Sequence, residues 1–123
     1  MPFGTDADAL LDAPVARLGP HMVRHVLVSR SGRGADPLLR IVFAPLHGER
    51  GDILRAGFRA QVTGRLTARL TGPDAAPRAG LAVATLLGPG VMYGIARGAE
   101  VRRAAIDALI DRYAPGVQAH LTP

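Results

Sequence analysis

The stretch Ala79-Gly80-Leu81-Ala82-Val83-Ala84-Thr85-Leu86-Leu87-Gly88-Pro89-Gly90-Val91-Met92-Tyr93-Gly94-Ile95-Ala96 decides the fold. Its 18 residues carry no charge, and Arg78 and Arg97 flank it. That length meets the lower limit for a membrane span. The composition points elsewhere. Gly80, Gly88, Gly90, Gly94, Pro89 and several Ala keep the hydrophobicity modest, because small residues contribute little transfer free energy. In a water-soluble fold, a helix apolar on all sides is one that neighbours cover on all sides. Ala84, Gly88 and Gly94 let adjacent backbones approach closely, a feature shared with helix pairs in lipid. The segment therefore reads as a core and dimer helix, with a membrane span as the alternative.

Helical patterning extends in both directions from it. Asp74 is a good N-cap for a helix over Ala75 to Ala96. Before it, Ile53, Leu54, Gly57, Phe58, Val62, Leu66 and Leu70 mark an amphipathic helix from Asp52. Thr71-Gly72-Pro73 stops that helix, and Gly48 to Gly51 reads as the turn before it. Asp36 and Pro37 suit the start of another helix, whose stripe is Leu38, Leu39, Val42, Phe43 and Leu46, with Pro45 bending or ending it. Ser29 to Asp36 is a loop. A helix over Pro20 to Ser29 carries Met22, Val23, Val26 and Leu27. Asp6 or Asp8 can cap a first helix near Ala9, with Leu10, Leu11, Val15 and Leu18 on one face until Gly19-Pro20 interrupts. After Gly98, Ile106, Leu109, Ile110, Tyr113, Val117 and Leu121 form one stripe suited to a partner helix, kinked at Pro115. No segment alternates with the period of a strand, and there is no internal repeat or linker. The expectation is an all-α helical bundle forming one domain over residues 1–123.

Composition supports this reading. Apolar residues are 48% of the 123, charged residues 20% and aromatics 4%, so the chain can fold and favours helix over strand. Cysteine is absent, which removes disulfides, thiolate nucleophiles and sulfur-ligated zinc. All 15 basic residues are Arg, so lysine Schiff-base chemistry and a phosphate-loop lysine are excluded. A net charge of +5 raises the question of nucleic acid. The Arg residues are scattered, however, apart from Arg30 and Arg33 in the expected loop, and no aromatic interleaves with them. Residues 1–8 do not form a secretory signal.

Candidate chemistry is thin. His21 and His25 lie four apart, a spacing metals use, but no Glu follows His21 and only distant His47 could add a third ligand. A satisfied or surface pair of histidines is the simpler reading. Ser29 and Ser31 lack an obvious base. Asp107 and Asp111 share a face with Arg103 and read as a solvated surface with pairs along the helix. The sequence therefore suggests no enzyme, no metal and no cofactor.

Several stretches resemble a known family. Gly72-Pro73-Asp74-Ala75-Ala76-Pro77-Arg78-Ala79-Gly80-Leu81, followed by Leu86-Leu87-Gly88 and Tyr93, is similar to the eighth helix of tetracycline-repressor (TetR) type regulators. Tyr113-Ala114-Pro115-Gly116-Val117-Gln118-Ala119-His120-Leu121 resembles their ninth, including the Ala-Pro kink. Leu18 to Leu27 and Asp36 to Arg40 look like the fourth and fifth helices, and Ile53 to Leu70 like the sixth and seventh. Pro77 departs from the pattern by replacing the acidic residue that completes a capping box. The helix-turn-helix that precedes this region in the family has no counterpart here, beyond a faint echo at Phe3-Gly4-Thr5.

The resemblance implies a TetR-like C-terminal domain whose last two helices, from each of two subunits, form a four-helix dimer interface. The positions concerned are Leu81, Thr85, Gly88, Met92, Ile106, Leu109, Ile110, Tyr113, Val117 and Leu121. It also implies a small apolar or amphipathic ligand among the middle helices. Phe43, His47, Phe58, Gln61, Met92 and Tyr93 are the large or polar groups there, and each also suits ordinary core packing. The expected protein is a cytoplasmic homodimer, part of a repressor-type regulator, with no specific DNA binding by this chain alone and no membrane partner. The chain is read as a fragment, a mis-started frame or a lone effector domain. The alternative to ligand sensing is an interaction remnant that pairs with itself or a full-length relative.

Overall fold

The structure, a computed structural model, describes residues 4–28, 48–91 and 103–123. Every element among the described residues is helical. Helix α1 spans Gly4–Leu10. A 3₁₀ turn, Val15–Arg17, leads into α2, Leu18–Val28. Helix α3, Gly48–Phe58, continues through a π turn, Arg59–Thr63, into α4, Gly64–Arg69. Helix α5 covers Ala75–Val91 and α6 covers Arg103–Leu121. The fold is therefore all-α, as the patterning required. The helix expected over Pro37 to Leu46 lies outside the described residues.

The first expected helix is corrected. It runs from Gly4 to Leu10, so Asp6 and Asp8 lie within it rather than capping it from outside. Pro14 is the reason it stops. Proline disfavours the helical conformation in the residue before it and adopts an extended ψ of 147° here. Leu10, Leu11 and Leu18 still reach one core, but from separate segments. Gly19-Pro20 does not interrupt the second helix, because both fall in the first turn of α2, where a missing N–H costs nothing.

The helix expected from Asp52 begins instead at Gly48, which takes a φ of +76° that glycine tolerates. Its far end is as expected. Leu70 turns extended at ψ 146°, and Gly72 has φ +84°. Asp74 sits in the left-handed region at φ +60°. The Asp74 carbonyl accepts the Arg78 N–H at 2.9 Å, the first bond of α5. The Arg78 guanidinium folds back on the turn, donating to the Pro73 carbonyl at 2.9 Å and to the Thr71 carbonyl.

The core is a set of helical stripes. Helix α2 contributes Leu18, Met22, Val23, Val26 and Leu27. Helix α5 contributes Ala79, Ala82, Val83 and Leu86, and α6 contributes Ile110, Ala114, Val117 and Leu121. Each set recurs at three- and four-residue spacing. The last helix packs most extensively on α2 and next on α5. It continues through Pro115 to Leu121.

One side chain ties the two ends of the sequence together. Gln118 Oε1 accepts the Gly19 N–H at 2.7 Å, and Gln118 Nε2 donates to the Val15 carbonyl at 2.9 Å. An orphan donor of the α2 start is thus satisfied by a residue 99 positions away. Gln118→Ala removes both bonds and should destabilise the domain by about 1–3 kcal/mol, read as a lower urea midpoint with an unchanged slope.

Candidate dimer face and ligand face

Helix α5 has two contrasting sides. Ala79, Ala82, Val83 and Leu86 are buried. Opposite them, Gly80, Leu81, Ala84 and Gly88 are exposed, and Thr85 is half-buried. Leu81 keeps 51% of its surface in water. The Thr85 hydroxyl donates to the Leu81 carbonyl at 2.8 Å, so it is spent on its own backbone and the face it presents is largely apolar. No charged residue lies between Ala79 and Val91. The outward side of α5 is thus uncharged and carries an exposed leucine among small residues.

Helix α6 is oriented by its contacts with α2. Asp107 pairs with Arg24 at 2.9 Å, and Gln118 reaches Gly19. Asp107, expected on a solvated face with neighbours along its own helix, therefore bonds across to α2. Those contacts define one flank of α6. Ile106, Leu109 and Tyr113 lie on the other flank, half-buried and packed against the core. Ala105, Ala108, Gly116 and Ala119 are exposed.

The residues expected at a dimer interface divide accordingly. Leu81, Thr85 and Gly88 lie on the uncovered side of α5, and Ile106, Leu109 and Tyr113 are partly accessible on α6. Val117 is 0% exposed, Leu121 1% and Ile110 6%. These three belong to the core of the single chain, where α2 and α5 already cover them, and have almost no surface left for a second copy. One stripe in the sequence thus contains both inward and outward positions. Met92 lies outside the described residues.

Of the expected ligand residues, Phe43, His47, Met92 and Tyr93 lie outside the described residues. Phe58 ends α3 half-buried against the core, and Gln61 sits half-buried in the π turn. The two are thus adjacent to one backbone irregularity, which the seven-residue spacing of Gly57 and Gly64 could have hinted at. A shallow groove of about 320 Å³ lies elsewhere, between the start of α2 and α6. Ala16, Pro20, Ile110, Ala114 and Pro115 line it, with Arg17, Asp111 and Gln118. It includes none of the expected ligand residues. His21 has a separate task, with its Nε2 2.7 Å from the Ala9 carbonyl. Among the described residues, no three metal-ligating side chains converge. No described helix is long and apolar enough to cross a membrane.

The side chains that sequence reading missed are Gln118, Arg69 and Arg78. Arg69 donates to the Leu11 carbonyl at 2.6 Å and to the Ala13 carbonyl, just past the end of α1. Nothing in the sequence signals that contact, because the partners are 58 and 56 positions apart.

These observations define an all-helical bundle with an uncharged outer face on its penultimate described helix. Residues 16–121 match the tetracyclin repressor-like, C-terminal domain family, and the chain belongs to that family. Neither the curated proteins nor the solved structures yield a match.

Proposed function

We propose that this chain is the ligand-sensing and dimerisation domain of a TetR-type transcriptional regulator, working in the cytoplasm as a homodimer. The observation that carries the proposal is the uncharged outer side of α5, where Leu81 is half exposed beside Ala84, Thr85 and Gly88. A surface of this kind gains from being covered, and small residues allow a second helix to come close. Leu109 and Tyr113 on α6 extend the contact, so that two helices from each copy form a four-helix interface. Family membership supports the same arrangement.

The ligand would be small and apolar or amphipathic, contacting Phe58 and Gln61 together with Phe43, His47, Met92 and Tyr93. By themselves these 123 residues are proposed to sense and to pair, not to read DNA, and no enzyme activity is assigned to them. Two measurements test the reading. Sedimentation equilibrium should give a dimer at micromolar concentration; a stable monomer would overturn the pairing. A panel of small apolar compounds should contain some that raise Tm, since a ligand that binds only the folded state stabilises it. No shift across chemically diverse panels would remove the sensing role and leave dimerisation alone.

A further inference from the structure

We propose that the π turn Arg59–Thr63 is a register switch. It sets whether the helix bearing Phe58 and Gln61 grips or releases the N-terminal helix α1. π turns are rare, usually single, and occur often at functional positions. Here the Gly64 N–H bonds the Arg59 carbonyl, five residues back. A regular helix would bond four back. A Cβ at position 64 would stand 2.5 Å from that same oxygen, so any residue but glycine strains the turn. Gly57 and Gly64 bracket the segment, and both are poor helix formers. Local propensity therefore does not strongly enforce either register.

Helix α4, on the far side of the turn, holds α1 in place. Its Arg65 pairs with Asp8 at 2.7 Å. Its Arg69 donates to the Leu11 carbonyl at 2.6 Å and to the Ala13 carbonyl. The π turn itself touches α1. Relaxing it to an α turn would rotate residues 64–69 by about 100° and shift them by about 1.5 Å relative to Phe58. Neither guanidinium would then reach α1. The Arg65–Asp8 pair is partly solvated, with side chains 38% and 70% exposed, and so weak enough to break. The register also sets the angle between Phe58 and Gln61. A molecule touching both would bind one register better and shift the population towards it. That trigger rests on the ligand reading above; the register switch does not.

The test uses the full chain without ligand, so its failure is separate from failure of the compound screen. Gly64→Ala disfavours the π turn sterically, because the new Cβ and the Arg59 carbonyl oxygen must move apart. Amides of α1, including the Leu11 N–H that bonds the Ala7 carbonyl, should then exchange about tenfold faster or more, while amides at Val83, Leu86 and Val117 stay protected. Deleting Ala60, an exposed residue of the π turn, shortens it to an α turn with its flanks in the original phase. In the Gly64→Ala background this deletion should restore wild-type exchange in α1. Arg69→Ala, which leaves the turn untouched, should loosen α1 with the same selectivity. Unchanged α1 exchange in Gly64→Ala, loss of protection spread evenly over the chain, or no rescue by the deletion would each overturn the switch.

Discussion

Leu86→Ala should lower the unfolding free energy by about 2–5 kcal/mol, as expected for truncating a fully buried leucine. Leu86 is 0% exposed and belongs to the inward stripe of α5 with Ala79, Ala82 and Val83. Three of its neighbours on the helix surface are thus small or β-branched and cannot swing into the space a lost isobutyl group leaves. The cost combines lost transfer free energy with an unfilled cavity. For a domain whose whole stability is about 5–15 kcal/mol, this is a large share. Chemical denaturation at fixed protein concentration measures it, and the denaturant slope should not change. Leu87→Ala, on a half-buried neighbour, should cost clearly less. Equal losses at the two positions would mean that the inward face of α5 is wrongly assigned.

Leu81→Arg should leave the single chain folded and separate the two copies. Its side chain is 51% exposed in the monomer, so a long polar replacement displaces little within the chain. At the centre of the proposed interface around Ala84, Thr85 and Gly88, the same change would place a charge opposite its own symmetry mate and hold the helices apart. The dimer should weaken by about 2 kcal/mol or more, a factor of roughly 30 in Kd. Sedimentation velocity over a dilution series reads this directly, with helical circular dichroism as the control for folding. Substitution of Leu86 and Leu81 should therefore separate cleanly: the first lowers stability at every concentration, the second alters the dependence on concentration. Sedimentation of Leu81→Arg identical to wild type would move the interface off this face of α5.

Helix α2 was legible from Met22, Val23, Val26 and Leu27, and α5 from its uncharged run after Asp74. The stop after Leu70 was legible from Gly72 and Pro73. These signals are local, because spacing along a chain maps directly onto a helix surface. The early end of α1 was also written in the chain, in Pro14, yet a continuous apolar pattern through Val15 and Leu18 masked it. The π turn was not legible. Phe58, Val62, Leu66 and Leu70 recur every four residues, a spacing that an uninterrupted α-helix also carries on one broad face, so the extra residue left no mark of its own. At the candidate interface, periodicity joined inward and partly accessible positions of α6 in one stripe. Val117 and Leu121 share a stripe with Leu109 and Tyr113, and only packing shows that α2 and α5 cover the first pair.

By itself, then, the sequence determined that the chain is all-helical and where most helices lie. Those properties arise from residue propensity and period, which act over a few neighbours. Tertiary structure alone decided that Gln118 completes the start of α2, that Arg69 closes the end of α1, and which half of the α6 stripe remains available. Each of these depends on groups brought together from distant parts of the chain, and no local pattern encodes such a meeting.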